Sequence, residues 1–174
     1  IEPGQRESEI AARLEFEMKS RGADGTSFNT IAAARANGSL PHAVPGSTKT
    51  AANQPLLIDW GARYAGYCSD MTRTFALGKW PKKVAEIYAV VLDAWHAGAE
   101  AVKPGARCVD VDGAARAVIE KAGFGPRFGH GLGHGIGLDI HEDPRLSRYS
   151  TQTLKPGMIV TVEPGIYLPG VGGV

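Results

Sequence analysis

Cysteine is nearly absent: Cys68 and Cys108 are the two in 174 residues, and neither sits in a C-x-x-C pair. That excludes a disulfide scaffold, and both thiols read as buried groups in a reducing, cytoplasmic setting. No charge sign dominates either. Nineteen Lys and Arg face 18 Asp and Glu, a net +1 without a long run of one sign, which disfavours a dedicated binder of nucleic acid or of an anionic membrane. No apolar stretch approaches the roughly 18 residues of a membrane span. The opening residues lack the pattern of a signal peptide, and both ends of the chain look cut.

Glycine is in excess, at 23 of 174 residues, about twice the usual share of roughly 7%. The apolar share of 43% fits a globular chain. Periodicity predicts three helices, at about 5–21, 82–102 and 110–122, with Gly22 and Gly123 as stop signals and Asp110 as the cap of the third. Strand-like pieces fall at about 27–35, 55–60, 63–77 and 157–168. A faint repeat underlies them: a shift of 101 residues lays Pro3-Gly4 on Pro104-Gly105, Arg6 on Arg107, Ile10 on Val111 and Gly22 on Gly123. The apolar runs ending in Asp59 and Glu163 also match. Two helix-plus-strand halves are implied, each delivering one acid from the end of a core strand.

Those acids need explaining, because an unpaired carboxylate in a covered strand costs several kcal/mol or a large upward pKa shift. Asp70 adds a third, on a strand expected to return beside Asp59 after a turn between Gly61 and Gly66. Arginine pairing with Arg63 or Arg73 is one explanation, and a metal centre is the other. Strand alternation puts Asp70, Thr72 and Thr74 on one face and Arg73 on the opposite one, which favours metal. Histidines are at hand in Phe128-Gly129-His130-Gly131-Leu132-Gly133-His134, continuing to His141-Glu142. The alternating glycines argue against a zinc-binding helix there, and no nucleotide-binding glycine loop can be laid on them. Three acids to one imidazole suit hard or borderline ions such as Mn²⁺.

Four stretches together resemble the pita-bread metallopeptidases, which include prolidase, aminopeptidase P and methionine aminopeptidase. They are Asp59-x-Gly61, Ser69-Asp70-Met71-Thr72-Arg73-Thr74-Phe75, Gly133-His134-Gly135-Ile136-Gly137 through His141-Glu142-x-Pro144, and Val162-Glu163-Pro164-Gly165-Ile166-Tyr167. The resemblance runs in order along nearly the whole chain, and its wording leans toward the proline-specific members. It implies an α+β pita-bread fold of two pseudo-symmetric halves around a curved, mostly antiparallel sheet, with residues 1–174 as a single catalytic domain. It implies two divalent ions, Mn most readily and otherwise Co, Zn or Fe, on Asp59, Asp70, His134 and Glu163. Glu163 would also shuttle protons, and His141 would hydrogen-bond the oxyanion. His42 and His130 would contact substrate, and Arg145 would hold the free carboxylate of a dipeptide.

The implied reaction is hydrolysis of the peptide bond preceding proline, on a proline-containing peptide, by a protein that could form a homodimer at full length. A methionine aminopeptidase, a catalytically silent peptide-binding module and a creatinase-like amidinohydrolase are the competing readings. The family also has a bridging glutamate beyond the Glu163 motif and, in its proline-specific members, a preceding domain. Neither is present here, so the chain is expected to be a fragment with weak or single metal binding and little activity of its own.

Overall fold

A computed structural model describes residues 1–174. The elements in chain order are α1 (Glu7–Ser20), β1 (Gly25–Thr26), β2 (Ile31–Ala34), β3 (Pro55–Trp60), β4 (Ala62–Tyr64), β5 (Tyr67–Cys68), β6 (Met71–Ala76), α2 (Lys82–Ala101), α3 (Cys108–Lys121), β7 (Gly133–Gly135), β8 (Glu142–Leu146), β9 (Tyr167–Leu168) and β10 (Gly172–Gly173). Every strand pairing is antiparallel. The chain divides into two compact units, Ile1–Glu86 with Tyr167–Val174, and Ile87–Ile166.

The first unit is built on a sheet in the order β2-β3-β6. Because β3 is apolar at successive positions, it can be covered on both faces, and it is. Leu56 and Ile58 join Ile10 and Ala11 of α1 with Ala32 and Ala34 in one cluster. Leu57 joins Ile31, Ala33 and Ala43 in another. Burying each of the larger aliphatic side chains contributes about 1.5–3 kcal/mol. Strand β6 alternates instead, with Arg73 exposed and Thr72 and Thr74 half-buried, as strand geometry requires.

The second unit sets α2, from Ile87 onward, and α3 beside a glycine-rich segment. Helix α2 buries Val84, Ile87, Val91 and Ala94, a spacing of three and four residues that keeps one stripe inward. At Gly98 a Cβ would meet Leu132 and Val162 at 3.1 Å and Ala115 at 3.3 Å, so any larger residue would have to push these side chains aside by a few tenths of an ångström.

The repeat is physical. Helix α3 occupies the residues of α1 shifted by 101, and the two stop glycines both have positive φ, 97° at Gly22 and 84° at Gly123. Gly4 N–H donates to Thr50 O at 2.9 Å and Gly105 N–H to Leu154 O at 2.8 Å; Glu7 N–H donates to Thr48 O at 3.0 Å and Cys108 N–H to Gln152 O at 2.9 Å.

Several expectations are corrected. Asp110 is not the cap of α3: the helix starts at Cys108 with Arg107 extended before it. Backbone acceptors take the first free N–H groups, so no side-chain cap is needed, and Asp110 sits in the first turn, where the helix dipole favours an acid. The strand expected over 63–77 breaks into three, because Ala65 and Gly66 (φ 49° and 82°) form a two-residue turn between Tyr64 and Tyr67. The strand expected over 27–35 is confined to Ile31–Ala34, since Arg35 turns away at φ 59°. Over 157–168 only Tyr167–Leu168 is a regular strand. Cys68 is half-buried rather than buried, whereas Cys108 is buried.

Candidate metal centre

In the first unit, Asp59 lies opposite Thr72 in the β3–β6 ladder, and Trp60 lies opposite Met71. The same register resumes beyond, with Ser69 N–H on Ala62 O at 2.9 Å and Arg63 opposite Cys68, which brings Asp70 level with Gly61 and onto the face of Asp59. Gly61 is required there. A Cβ on it would collide with the Ser69 carbonyl and the Ser27 hydroxyl, which are themselves hydrogen-bonded at 2.6 Å. Both acids are half-buried, and Arg73 gives its Nη1–H to the Thr72 carbonyl at 2.7 Å. His42 is exposed, on the loop that follows Arg35–Ser39.

In the second unit, residues 159–163 run antiparallel to 132–136. Ile136 N–H reaches Ile159 O at 3.3 Å, Thr161 N–H reaches His134 O at 2.8 Å, and Glu163 N–H reaches Leu132 O at 2.8 Å. This short ladder brings His134 Nε2 to 3.1 Å from Glu163 Oε1. His134 is buried, and its Nδ1 lies 2.9 Å from the Gly135 carbonyl. A carbonyl can only accept, so Nδ1 carries a proton and Nε2 is the nitrogen turned to the carboxylate. Burial pushes the Glu163 carboxyl up, but hydrogen bonds from His134 and Thr161, with the nearby His134 and His130 charges, outweigh it and leave Glu163 below the usual range.

The remaining histidines differ in setting. His141 is exposed, with its ring edge-on to His134 at 4.4 Å between centroids. His130 is half-buried, edge-on to Phe128 at 5.0 Å, with Nδ1 2.7 Å from the Gly131 carbonyl. Arg145 is exposed and pairs directly across from His134 in the β7–β8 ladder, which puts both side chains on one face. The second unit thus gathers His134, His141, Arg145 and Glu163, and the first gathers Asp59 and Asp70.

Three residues that matter here escaped the sequence reading. Thr161 accepts the His134 N–H at 3.0 Å and donates to Glu163 Oε1 at 2.6 Å, linking the two. Its signal was its place two residues before Glu163 on an extended segment. Asp112 and Arg116 form a buried ion pair at 2.7 Å, and their four-residue spacing was the available clue.

The donors fit divalent cations. A ligating histidine usually donates one ring N–H to a carbonyl and leaves the other nitrogen for the metal; with Nδ1 fixed on the Gly135 carbonyl, Nε2 is the nitrogen left for an ion, and the carboxylates supply hard oxygen atoms. The model of metallopeptidase family M24 matches residues 1–174. The chain belongs to that family. An Xaa-Pro dipeptidase of Pyrococcus furiosus is 45% identical over all of this chain and half of its own length. The solved structure of prolidase from P. furiosus superposes with a TM-score of 0.98 at 45% identity, over 100% of this chain and 52% of that one. Escherichia coli aminopeptidase P in complex with substrate gives 0.89 at 28% identity, over 99% and 46%. The family fold is therefore the α+β pita-bread fold expected from the motifs. The chain spans about half the length of the curated relatives it matches. No helix is long and apolar enough to cross a membrane.

Proposed function

We propose that this M24 chain carries the catalytic residues of a dinuclear-metal peptidase that cleaves the bond preceding proline, with Asp59, Asp70, His134 and Glu163 as ligands. The observation that carries the reading is the pairing of His134 Nε2 with Glu163 Oε1 at 3.1 Å while Nδ1 is held on a carbonyl. Asp59 and Asp70, on one face of their hairpin, are the matching oxygen donors. Two divalent ions, Mn²⁺ foremost, supply Lewis acidity and lower the pKa of a water toward about 7.

The chain's own groups do the rest. Glu163 takes and returns the proton, its carboxylate kept ionised by the Thr161 hydroxyl and His134. His141, beside His134, donates to the oxygen on which negative charge develops. His130 and His42 hold the substrate, His42 on the proline side. Arg145, across from His134, offers a fork of two parallel N–H donors to a free carboxylate, which favours a dipeptide.

The test is to titrate the chain with Mn²⁺ and to assay the Mn²⁺-loaded full-length protein on Ala-Pro against Ala-Pro-Ala. Cleavage of Ala-Pro alone marks a dipeptidase, and cleavage of the tripeptide an aminopeptidase. Mn²⁺ uptake without cleavage of either substrate points to a peptide-binding module instead.

A further inference from the structure

Five glycines alternate through residues 129–137, and glycine loses more backbone freedom on folding than any other residue. A cavity of about 760 Å³ runs beside Phe128, Gly129, His130 and Gly131, so packing leaves part of this segment uncovered. Phe128 and Leu132 are buried and pack, but the glycines between them have no side chain to pack, so something else must hold the backbone that leads into His134.

That something is the buried pair on α3. Asp112 is 1% exposed and Arg116 7%. Arg116 Nε donates to Asp112 Oδ2 at 2.7 Å and Nη2 to Oδ1 at 2.8 Å. The guanidinium then gives Nη1–H to the Phe128 carbonyl at 3.1 Å and Nη2–H to the His130 carbonyl at 2.7 Å, while Asp112 Oδ1 accepts the Leu132 N–H at 3.0 Å. Its plane also covers the Phe128 ring, 4.1 Å from the centroid. Three alternate residues of one extended segment are pinned by two side chains. The third of them, Leu132, accepts the Glu163 N–H, and the next alternate residue is His134.

The geometry points to Asp112 and Arg116 as positioning residues for the candidate metal centre: they fix the glycine-rich segment and thereby set His134 against Glu163. The inference rests on the metal reading above. Packing alone does not explain the pair, because replacing a buried ion pair by apolar residues of similar volume is often neutral or stabilising. A lysine cannot reproduce the planar fork that reaches an aspartate and two carbonyls at once.

The experiment compares the full chain with Arg116→Lys, and with the double variant Asp112→Leu/Arg116→Met, which leaves no unpaired charge buried, each variant first shown to be folded by a cooperative unfolding transition. In metal-free protein, amide hydrogen exchange at Thr161 and Glu163 is expected to quicken by at least about tenfold while Leu57 and Ile58 of β3 are unmoved. Mn²⁺ affinity is expected to fall about 10–100-fold. Unchanged exchange at Thr161 and Glu163 in either folded variant, or equal quickening in β3, overturns the positioning role. A wild-type chain that takes up no Mn²⁺ sinks the metal reading instead, and the exchange comparison still decides the clamp.

Discussion

The α1 half and the α3 half share a backbone plan and differ in what they bury. Ile31 pairs with Asp59 in the first, and Leu132 pairs with Glu163 in the second, at positions related by shifts of 101 and 104 residues. Ala33, packed among Ile31, Ala43 and Leu57, corresponds to His134. His134, the proposed ligand, therefore takes a place that its counterpart gives to a methyl group. The anchoring of the strand differs too. In the first half, Glu7 is buried and its carboxylate accepts the Ala34 N–H at 2.7 Å, the Asn37 amide at 3.0 Å and the Gly46 N–H at 3.1 Å. In the second, Asp112 works with Arg116. An Ile-Ala-Ala-Ala strand in a closed core has one anchor that accepts from neutral donors, whereas the glycine-rich strand carrying His134 is held by an ion pair.

If Asp59 and Glu163 are equivalent, removing either charge has the largest effect of all. Asp59→Asn and Glu163→Gln are each expected to lower turnover of an Xaa-Pro peptide by about 10²–10⁴-fold, read from kcat/KM at saturating Mn²⁺. Near-normal turnover in one and collapse in the other would show that the repeat is structural only.

The anchors come next, measured by urea unfolding. Asp112→Ala strands the Arg116 guanidinium in the interior and is expected to cost about 3–5 kcal/mol. Glu7→Ala orphans neutral donors at Ala34 and Gly46, costing about 1–3 kcal/mol. Equal costs would mean that the two anchors are interchangeable, and the reverse order that Glu7 holds its strand more tightly than the ion pair holds the other. Thr161→Val tests a smaller contribution that the first half has no need of. Loss of the hydroxyl that joins His134 N–H to Glu163 should weaken Mn²⁺ binding about 10–100-fold by calorimetry, with little change in stability.

The helices were legible because each repeats its apolar residues at three and four positions and ends on a glycine, and β3 because its apolar run is unbroken. Asp59, Asp70, His134 and Glu163 stood out as acids and imidazoles in apolar or glycine-rich surroundings. Less legible were features fixed by distant backbone. The start of α3 depends on Gln152 O, which no local rule supplies. The stretch before Glu163 looked like a long strand, yet it makes only a short ladder with residues 132–136, in which Gly133 lies so close to Thr161 that no side chain would fit. Asp112 and Arg116 have the spacing of an ordinary surface pair on a helix, and only the folded segment beneath them makes them a clamp.

The finest test uses the stop glycines, where the halves should agree. Gly22 and Gly123 both end their helices at positive φ, which an alanine adopts only at a cost of about 1–2 kcal/mol. A Cβ at Gly22 would lie 3.8 Å from the Tyr64 ring, an ordinary contact, and one at Gly123 would meet nothing within 4 Å. Gly22→Ala and Gly123→Ala are thus expected to destabilise the chain alike, within about 0.5 kcal/mol of each other, because backbone strain decides both and the Tyr64 contact adds only a few weak pair attractions. A clear gap between them would mean that one helix relaxes its last turn to relieve the strain, and amide exchange at Ala23 and Phe124, whose N–H groups bond back to Met18 and Ile119, would show which.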